Sequence, residues 1–334
     1  MAEIHIAVVG AGIAGMSCAA ELGRADARVT VFERSRGLGG RLATRRERGG
    51  AFDHGAQFVT ARSRPFSRYM QVAVNAGVSA RWRPRLSEDT RRWDEPIEDW
   101  YVGVPGMSAL VRPLGRNARI LNGTSVHELH PREGGWELQT DTGRHSQIFD
   151  AVAIAIPAPQ ALTLLAPHAR TFRHLTDVVF APCWSAMLAY DEAPPVPAEA
   201  MRWTQGPIAW AASHDSRPGR ELMPHSWVLH ASAEWSRAHL EADAREAAQR
   251  LCNAFARAVD LTLPVPVLLQ AHRWRYAQVV QPLGLPCLVD QETATGACGD
   301  WCIAPRVEAA FESGRTLAHS LLSIVGLTAP LHRT

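Results

Sequence analysis

At 334 residues, with 46% hydrophobic and 20% charged side chains, the chain can fill the core of one large domain or of two closely packed ones. Thirty-five basic against 33 acidic residues leave a formal net charge of +2, which argues against nucleic acid or an anionic membrane as a main partner. Every basic residue is arginine, so any mechanism that needs a lysine amine is removed.

In chain order, His5–Val9 reads as a short buried strand, followed by a glycine-rich turn and an alanine-rich helix to about Leu22. A second strand is expected at Arg28–Glu33 and a helix at Pro65–Ala76, then an arginine-rich connection that holds Trp82, Trp93 and Trp100. Val104–Met107 reads as a turn into a helix through Leu114. Strands follow at Arg119–Leu121, Ser125–His130, Trp136–Thr140, Ala151–Ile156, Pro182–Tyr190 and His225–Ala231. A long amphipathic helix is expected at Leu240–Val259, an extended run at Val265–Tyr276, and a last helix at Arg306–Ile324 after Thr295–Gly299. The two ends of the chain look nucleotide-binding and the Trp-rich middle does not. This pattern implies an α/β fold in which a discontinuous Rossmann-like domain (1–62, 117–160 and 286–330) carries an inserted α+β substrate domain (63–116 and 161–285) with a mixed or antiparallel sheet.

The apolar start Ile4–Met16 lacks a basic n-region, and its glycines fall where a nucleotide turn needs them, so it does not read as a signal peptide. Pro157 and Pro159 break the other apolar stretch, Val152–Pro167, so a membrane span is not expected there. A soluble, cytoplasmic protein is the expectation. The 6 cysteines are scattered. Cys298 and Cys302 lie close, but CGDWC has one residue too many for a CxxC motif and no second cluster completes a metal site. They read as free structural thiols, and no metal is expected.

The chemistry begins at Gly10-Ala-Gly12-Ile-Ala-Gly15, directly after a strand and opening a helix. Gly10 permits the turn, Gly12 lets backbone approach a pyrophosphate, and Gly15 lets helix pack on strand. The helix N-terminus offers N–H groups to the phosphates. Glu33, at the end of the next strand, is placed to accept hydrogen bonds from an adenosine ribose. These features alone do not separate NAD from FAD. The next segment, Glu33-Arg-Ser-Arg36-Gly-Leu-Gly39-Gly40-Arg41, resembles the second cofactor motif of flavin amine oxidases and their relatives, where the arginine adds charge beside the pyrophosphate. Asp300, after a strand, can reach the ribityl or pyrophosphate hydroxyls, and a helix starting near Val307 would point its N–H groups at the flavin N1–C2=O edge.

Further segments sharpen the resemblance. Phe52-Asp-His-Gly-Ala-Gln57-Phe-Val-Thr60-Ala-Arg62, Val104–Ala109, Ala155–Gln160, Ala271-His-Arg-Trp274-Arg-Tyr276, Cys298-Gly-Asp300-Trp-Cys302, Arg306–Ala310 and Ser313-Gly314 are similar to the corresponding segments of renalase-type proteins, from end to end of the chain. The resemblance implies non-covalent FAD, with cofactor contacts at Gly10, Gly12, Ala14, Gly15, Glu33, Arg34, Gly40, Arg41, Gln57, Phe58, Val126, Asp300, Val307 and Glu308. It also implies a substrate wall of Thr60, His272, Trp274, Tyr276 and Trp301, with His272 on a carboxamide and Arg273 near a phosphate. The implied reaction is oxidation of 2- and 6-dihydro isomers of NAD(P) by hydride transfer to FAD N5, with O2 reoxidising the flavin to give H2O2. A flavin amine oxidase and a non-catalytic flavin or nucleotide redox sensor are the alternatives. Amine oxidases of the related family place a lysine near flavin N5 and flank the substrate with tyrosines; this chain has no lysine and 4 tyrosines. Oligomeric state, NAD or NADP preference and the favoured isomer stay open at this level.

Overall fold

The computed structural model describes residues 3–47, 50–88, 92–94, 98–220 and 224–328. The tip of the Trp-rich connection (89–91 and 95–97) and residues 329–330, placed above in the Rossmann-like domain, lie outside the described residues.

His5–Val9 is buried at all five positions because it runs in the middle of a sheet covered on both faces. The order of that sheet is Leu288–Asp290, Thr295–Ala297, Ala151–Ile154, His5–Val9, Arg28–Glu33, Arg119–Asn122, and only the first strand is antiparallel to its neighbour. Three of these strands come from distant stretches of chain, so the sheet closes late in the sequence. The first helix, Ile13–Arg24, packs against both the sheet and the last helix, Val307–Ile324, and is buried along most of its length. Two glycines permit this packing. A Cβ at Gly15 would collide with the Gly10 carbonyl oxygen, and one at Gly314 with the Ala14 carbonyl oxygen.

A second sheet is ordered Leu268–Gln281, Val179–Tyr190, His225–Ala231, Ile208–Ser213, Ala200–Arg202, Leu86–Glu88, Arg92–Asp94, antiparallel except where Ala200–Arg202 meets Leu86–Glu88. The protein is thus a mixed α/β fold with a Rossmann-like part and a larger mixed sheet. The helix Ala244–Val259 covers one face of the second sheet. Asp243 caps it by accepting from the Arg245 and Glu246 amides, and Asp260 ends it in a left-handed conformation. Its Ala247, Leu251 and Phe255 join a core with Trp184, Trp227 and Leu229. The opposite face carries Met187, Ala189 and Val228, which pack on Phe52 at the end of the hairpin Thr44–Glu47/Gly50–Asp53.

Most expected elements appear within a few residues. The long helix divides into Ala233–Ala238 and Ala244–Val259. The extended run shifts to Leu268–Gln281, and Met107–Gly115 is a 3-10 helix with Pro113 inside it, whose missing N–H removes a donor from an α-helical turn.

Gly314→Ala should destabilise the fold by about 2 kcal/mol or more, the scale of over-packing a rigid contact, because backbone rather than a flexible side chain stands in the way. Urea denaturation measures this; an unchanged midpoint would show that the two helices can part at little cost.

Candidate functional site

Two glycine turns form a cradle at the carboxyl ends of the parallel strands. Gly10 sits at φ +103°, which side chains rarely adopt, while Gly12 has φ −72° and ψ 175°, open to any residue. A Cβ at Gly12 would meet nothing within 4 Å. Glycine at position 12 therefore leaves room for something rather than relieving the backbone. No side chain caps the first helix, so its N-terminal amides face that space. The Gly39–Arg41 turn lies alongside: the Gly39 amide donates to the Ala11 carbonyl at 2.9 Å, with a bridge between Gly12 and Gly39. The buried Glu33 carboxylate receives the Ala11 amide on one oxygen and the Ser35 amide on the other, both at 2.8 Å. Its remaining lone pairs are those available to ribose hydroxyls.

Arg41 leaves this turn and grips Asp300 with two bonds, of 2.8 and 2.5 Å, and donates a third to the Ala277 carbonyl at 3.1 Å. The two charges assigned above to separate parts of a cofactor thus meet each other across 259 positions of sequence. Val126 follows Thr124, whose amide donates to the Glu33 carbonyl. Arg34 and Gly40 are exposed, Val307 is half-buried in the first turn of the last helix, and Ala14 is buried. The Glu308 carboxylate accepts from the Arg62 and Ser63 amides, at 2.7 and 2.6 Å, and so serves the helix Arg64–Asn75 rather than the cradle. Gln57 is likewise committed: its amide nitrogen donates to the Asp53 and Gly55 carbonyls and its oxygen receives Arg217. Phe58 stacks on Trp100 with ring centres 3.8 Å apart. The side chains of Gln57, Phe58 and Glu308, all expected at the cofactor, are thus engaged by other residues of the protein.

A row of side chains stands on the face of the second sheet that packs on the Phe52–Gln57 segment. Trp210, His230, Ser185 and His272 stand opposite one another across four adjacent strands, so all four project from the same face. His54 meets them from the Phe52–Gln57 segment, 5.0 Å from the His272 ring, and Trp274 lies 4.4 Å from His272. The Trp274 indole donates to the His54 carbonyl at 2.9 Å, which fixes its ring. Burial pushes His54 and His230 down to about 4 and lowers His272 as well, so all three are neutral at physiological pH. The His54 Nδ1 and the Ser185 hydroxyl are buried without a hydrogen-bond partner.

Trp301 and Tyr276, expected in the wall, and Arg273, expected near a phosphate, lie elsewhere. Trp301 is 1% exposed and donates its indole N–H to the Ile156 carbonyl, so it belongs to the core on the side of its short helix away from Asp300. Arg273 points to the other face of the sheet, as strand alternation requires next to His272, and pairs with Glu241. Tyr276 sits edge-on to Phe180, past an irregularity in the strand pairing. Thr60 is half-buried just beyond Gln57.

Sequence reasoning missed a buried charge cluster behind His54. Asp53 is fully buried and accepts from Arg217 at 3.2 Å and Arg220 at 2.6 Å. Burial opposes its charge, but the Arg217 and Arg220 guanidiniums hold its carboxyl well below the usual range. His214 accepts the Asp53 amide on Nε2 at 2.9 Å, which keeps the ring neutral, and burial with the neighbouring arginines pushes it to about 4. Arg217 also lies over the Trp82 ring at 4.7 Å. No local signal marks the Arg217-Pro-Gly-Arg220 loop, which reads as an ordinary turn 164 residues from its partner.

Open space at Gly12, uncapped amides, an acid at the ribose end and an Arg–Asp pair at the other define a dinucleotide-type cofactor site that fits FAD. Residues 8–72 match the family of NAD(P)-binding Rossmann-like domains, and residues 74–322 match the flavin containing amine oxidoreductases. The chain belongs to the flavin containing amine oxidoreductase family: it is an oxidoreductase whose cofactor is FAD. The fold is similar to a protein assigned as a protoporphyrinogen oxidase from Exiguobacterium sp. 255-15 (TM-score 0.75, 14% identity, 96% of this chain and 99% of that one). It is also similar to cyclohexylamine oxidase from Brevibacterium oxydans IH-35A (0.72, 11%, 97% and 100%) and to putrescine oxidase bound to putrescine (0.68, 12%, 96% and 99%). At these identities the likeness is one of fold. Among the described residues no helix is long and apolar enough to cross a membrane, and no group of three or more His, Cys, Asp or Glu could hold a metal ion.

Gly12→Val should leave the fold intact, because its Cβ meets no protein atom, yet abolish FAD binding by filling the cradle. Circular dichroism and the flavin absorbance of the purified protein test the two halves separately; a yellow variant would place the pyrophosphate elsewhere. The buried histidines set a pH window. His54, His214 and His230 take up protons near pH 6.5 when unfolded but near 4 when folded, so the unfolded state binds more protons in between. Their contribution is complete above pH 6.5 and is lost as pH falls toward 4. The urea midpoint should be flat above pH 7 and drop across that window, with a shallower slope in His230→Asn; a pH-independent midpoint would contradict the neutral, buried state.

Proposed function

We propose that this oxidoreductase oxidises the 2- and 6-dihydro isomers of NAD(P) to NAD(P)+. The observation that carries the reading is the electrostatic character of the wall opposite the cradle. His54, His230, His272, Ser185 and Trp274 supply no negative charge there, and the Asp53 carboxylate behind them is outnumbered by Arg217 and Arg220. A cationic amine would meet neutral rings with positive charge behind them. A neutral, flat dihydronicotinamide ring meets an aromatic slot. The complete absence of lysine and the segments similar to renalase-type proteins support the same choice.

Bound FAD supplies the two-electron acceptor and passes electrons to O2, giving H2O2. The chain's own residues then have a positioning task. Neutral His272 offers one N–H and one lone pair, a match for the C=O and NH2 of a carboxamide. Trp274, fixed through the His54 carbonyl, holds the ring plane. Loss of hydride from this substrate restores aromaticity and releases no heteroatom proton, so a general base is not required.

Anaerobic stopped-flow mixing should show fast flavin bleaching by isomeric dihydro-NAD(P) and none by catecholamines or polyamines. Bleaching by a primary or secondary amine, with no response to dihydronicotinamides, would replace this reading with amine oxidation; no reduction by either would favour a redox sensor. His272→Ala should slow flavin reduction by roughly one to two orders of magnitude, the scale of a lost orienting hydrogen bond, without the steep pH dependence that removal of a base produces.

A further inference from the structure

We propose that Arg217 and Arg220 are positioning residues for the flavin: with Asp53 they brace the His54–Gln57 turn against Arg41, and among the described residues they place an excess of positive charge behind it that favours the reduced cofactor. The proposal depends on FAD binding and not on which substrate reduces it.

The mechanical part rests on a continuous set of bonds. Arg217 spans Asp53 at 3.2 Å and the Gln57 oxygen at 2.6 Å, the two ends of the turn. Arg220 ties Asp53 to the Gly103 carbonyl at 2.7 Å. The middle of the turn closes on the cofactor motif: the Ala56 amide donates to the Arg41 carbonyl at 2.8 Å, and a Cβ at Gly55 would collide with that same carbonyl. Arg41 in turn holds Asp300. One layer of backbone therefore separates the charge cluster from the two cofactor motifs at its front.

The electrostatic part rests on a count. Among the described residues one carboxylate faces two guanidiniums in this cluster, and His214 is neutral because it accepts the Asp53 amide. Arg217, lowered by burial to about 10, is still cationic at neutral pH. Asp215, two residues before Arg217, is occupied by His225 at 2.6 Å, and Glu221, next to Arg220, lies outside the described residues. Burying two arginines on one acid is costly, and replacing such groups with apolar residues often stabilises a fold. Both arginines also leave their Nε without a partner. Stability is thus a poor reason for the arrangement, whereas an anion arriving in front of it is a good one. Two-electron reduction leaves negative charge on the N1–C2=O edge of a flavin, and a fixed cation in a low-dielectric surrounding favours that state without reorganisation.

The test is the midpoint potential of the FAD-loaded protein, measured anaerobically against reference dyes, with folding followed by circular dichroism. Arg217→Met and Arg220→Met should each shift the ratio of oxidised to reduced flavin about tenfold toward the oxidised form, about 30 mV for a two-electron couple. Asp53→Asn should shift it by a similar factor in the opposite direction. The double variant Asp53→Asn/Arg217→Met, which restores the net charge, should return the potential to that of the wild type. Arg217→Lys should keep the potential, and it carries the test with Arg220→Met if the Arg217→Met protein does not fold. If every variant lowers the potential alike, or none moves it, the cluster only packs and the proposal is overturned.

Discussion

The structure depends on close approach of backbone to backbone around the first helix. Gly15 lies on the Gly10 carbonyl and Gly314 on the Ala14 carbonyl, at distances that no side chain could occupy. These contacts seat the helix against the parallel sheet and the last helix, so its uncapped N-terminus opens where the strands end. The Gly39–Arg41 turn then lies against Gly12, and Arg41 can reach Asp300. The turns of the cofactor cradle are local, but this packing brings them side by side. Backbone amides, which cannot swing as side chains do, dominate the cradle.

Charge is handled differently on the two sides of the cleft. On the cradle side, opposite charges are paired at the surface of the groove, where Asp300 and Arg41 keep lone pairs and donors for a polar ligand. On the opposite side, the three histidines of the row are kept neutral by burial, with Arg45 nearby and the Asp53, Arg217 and Arg220 cluster one layer further back. A neutral polar wall with positive charge behind it is the feature on which the proposed oxidation of a dihydronicotinamide rests.

The second sheet makes this wall possible because directly opposed residues on neighbouring strands share a face. His230, Ser185 and His272 come from three strands and align without any sequence proximity. The same alternation sends Arg273 and Arg275 to the far face, where Glu241 meets them. Trp301 failed as a wall residue for the equivalent helical reason: adjacency to Asp300 in sequence is a turn of about 100° on a helix, which aims the indole into the core.

The sequence by itself determined the cofactor half. Gly10, Gly12, Gly15, Glu33 and the Gly39-Gly40-Arg41 run act over short spans, where turn geometry and strand-to-helix order dictate what the residues must do, and the structure brings them together as expected. Only the tertiary structure decided the rest: that Arg41 pairs with Asp300, that Gln57 and Glu308 serve the protein's own backbone, and that Asp53 gathers two arginines and a histidine from a loop more than 160 positions away. These partners are chosen by which strands lie side by side and by the need to satisfy every buried charge. Neither is written in any local pattern of residues.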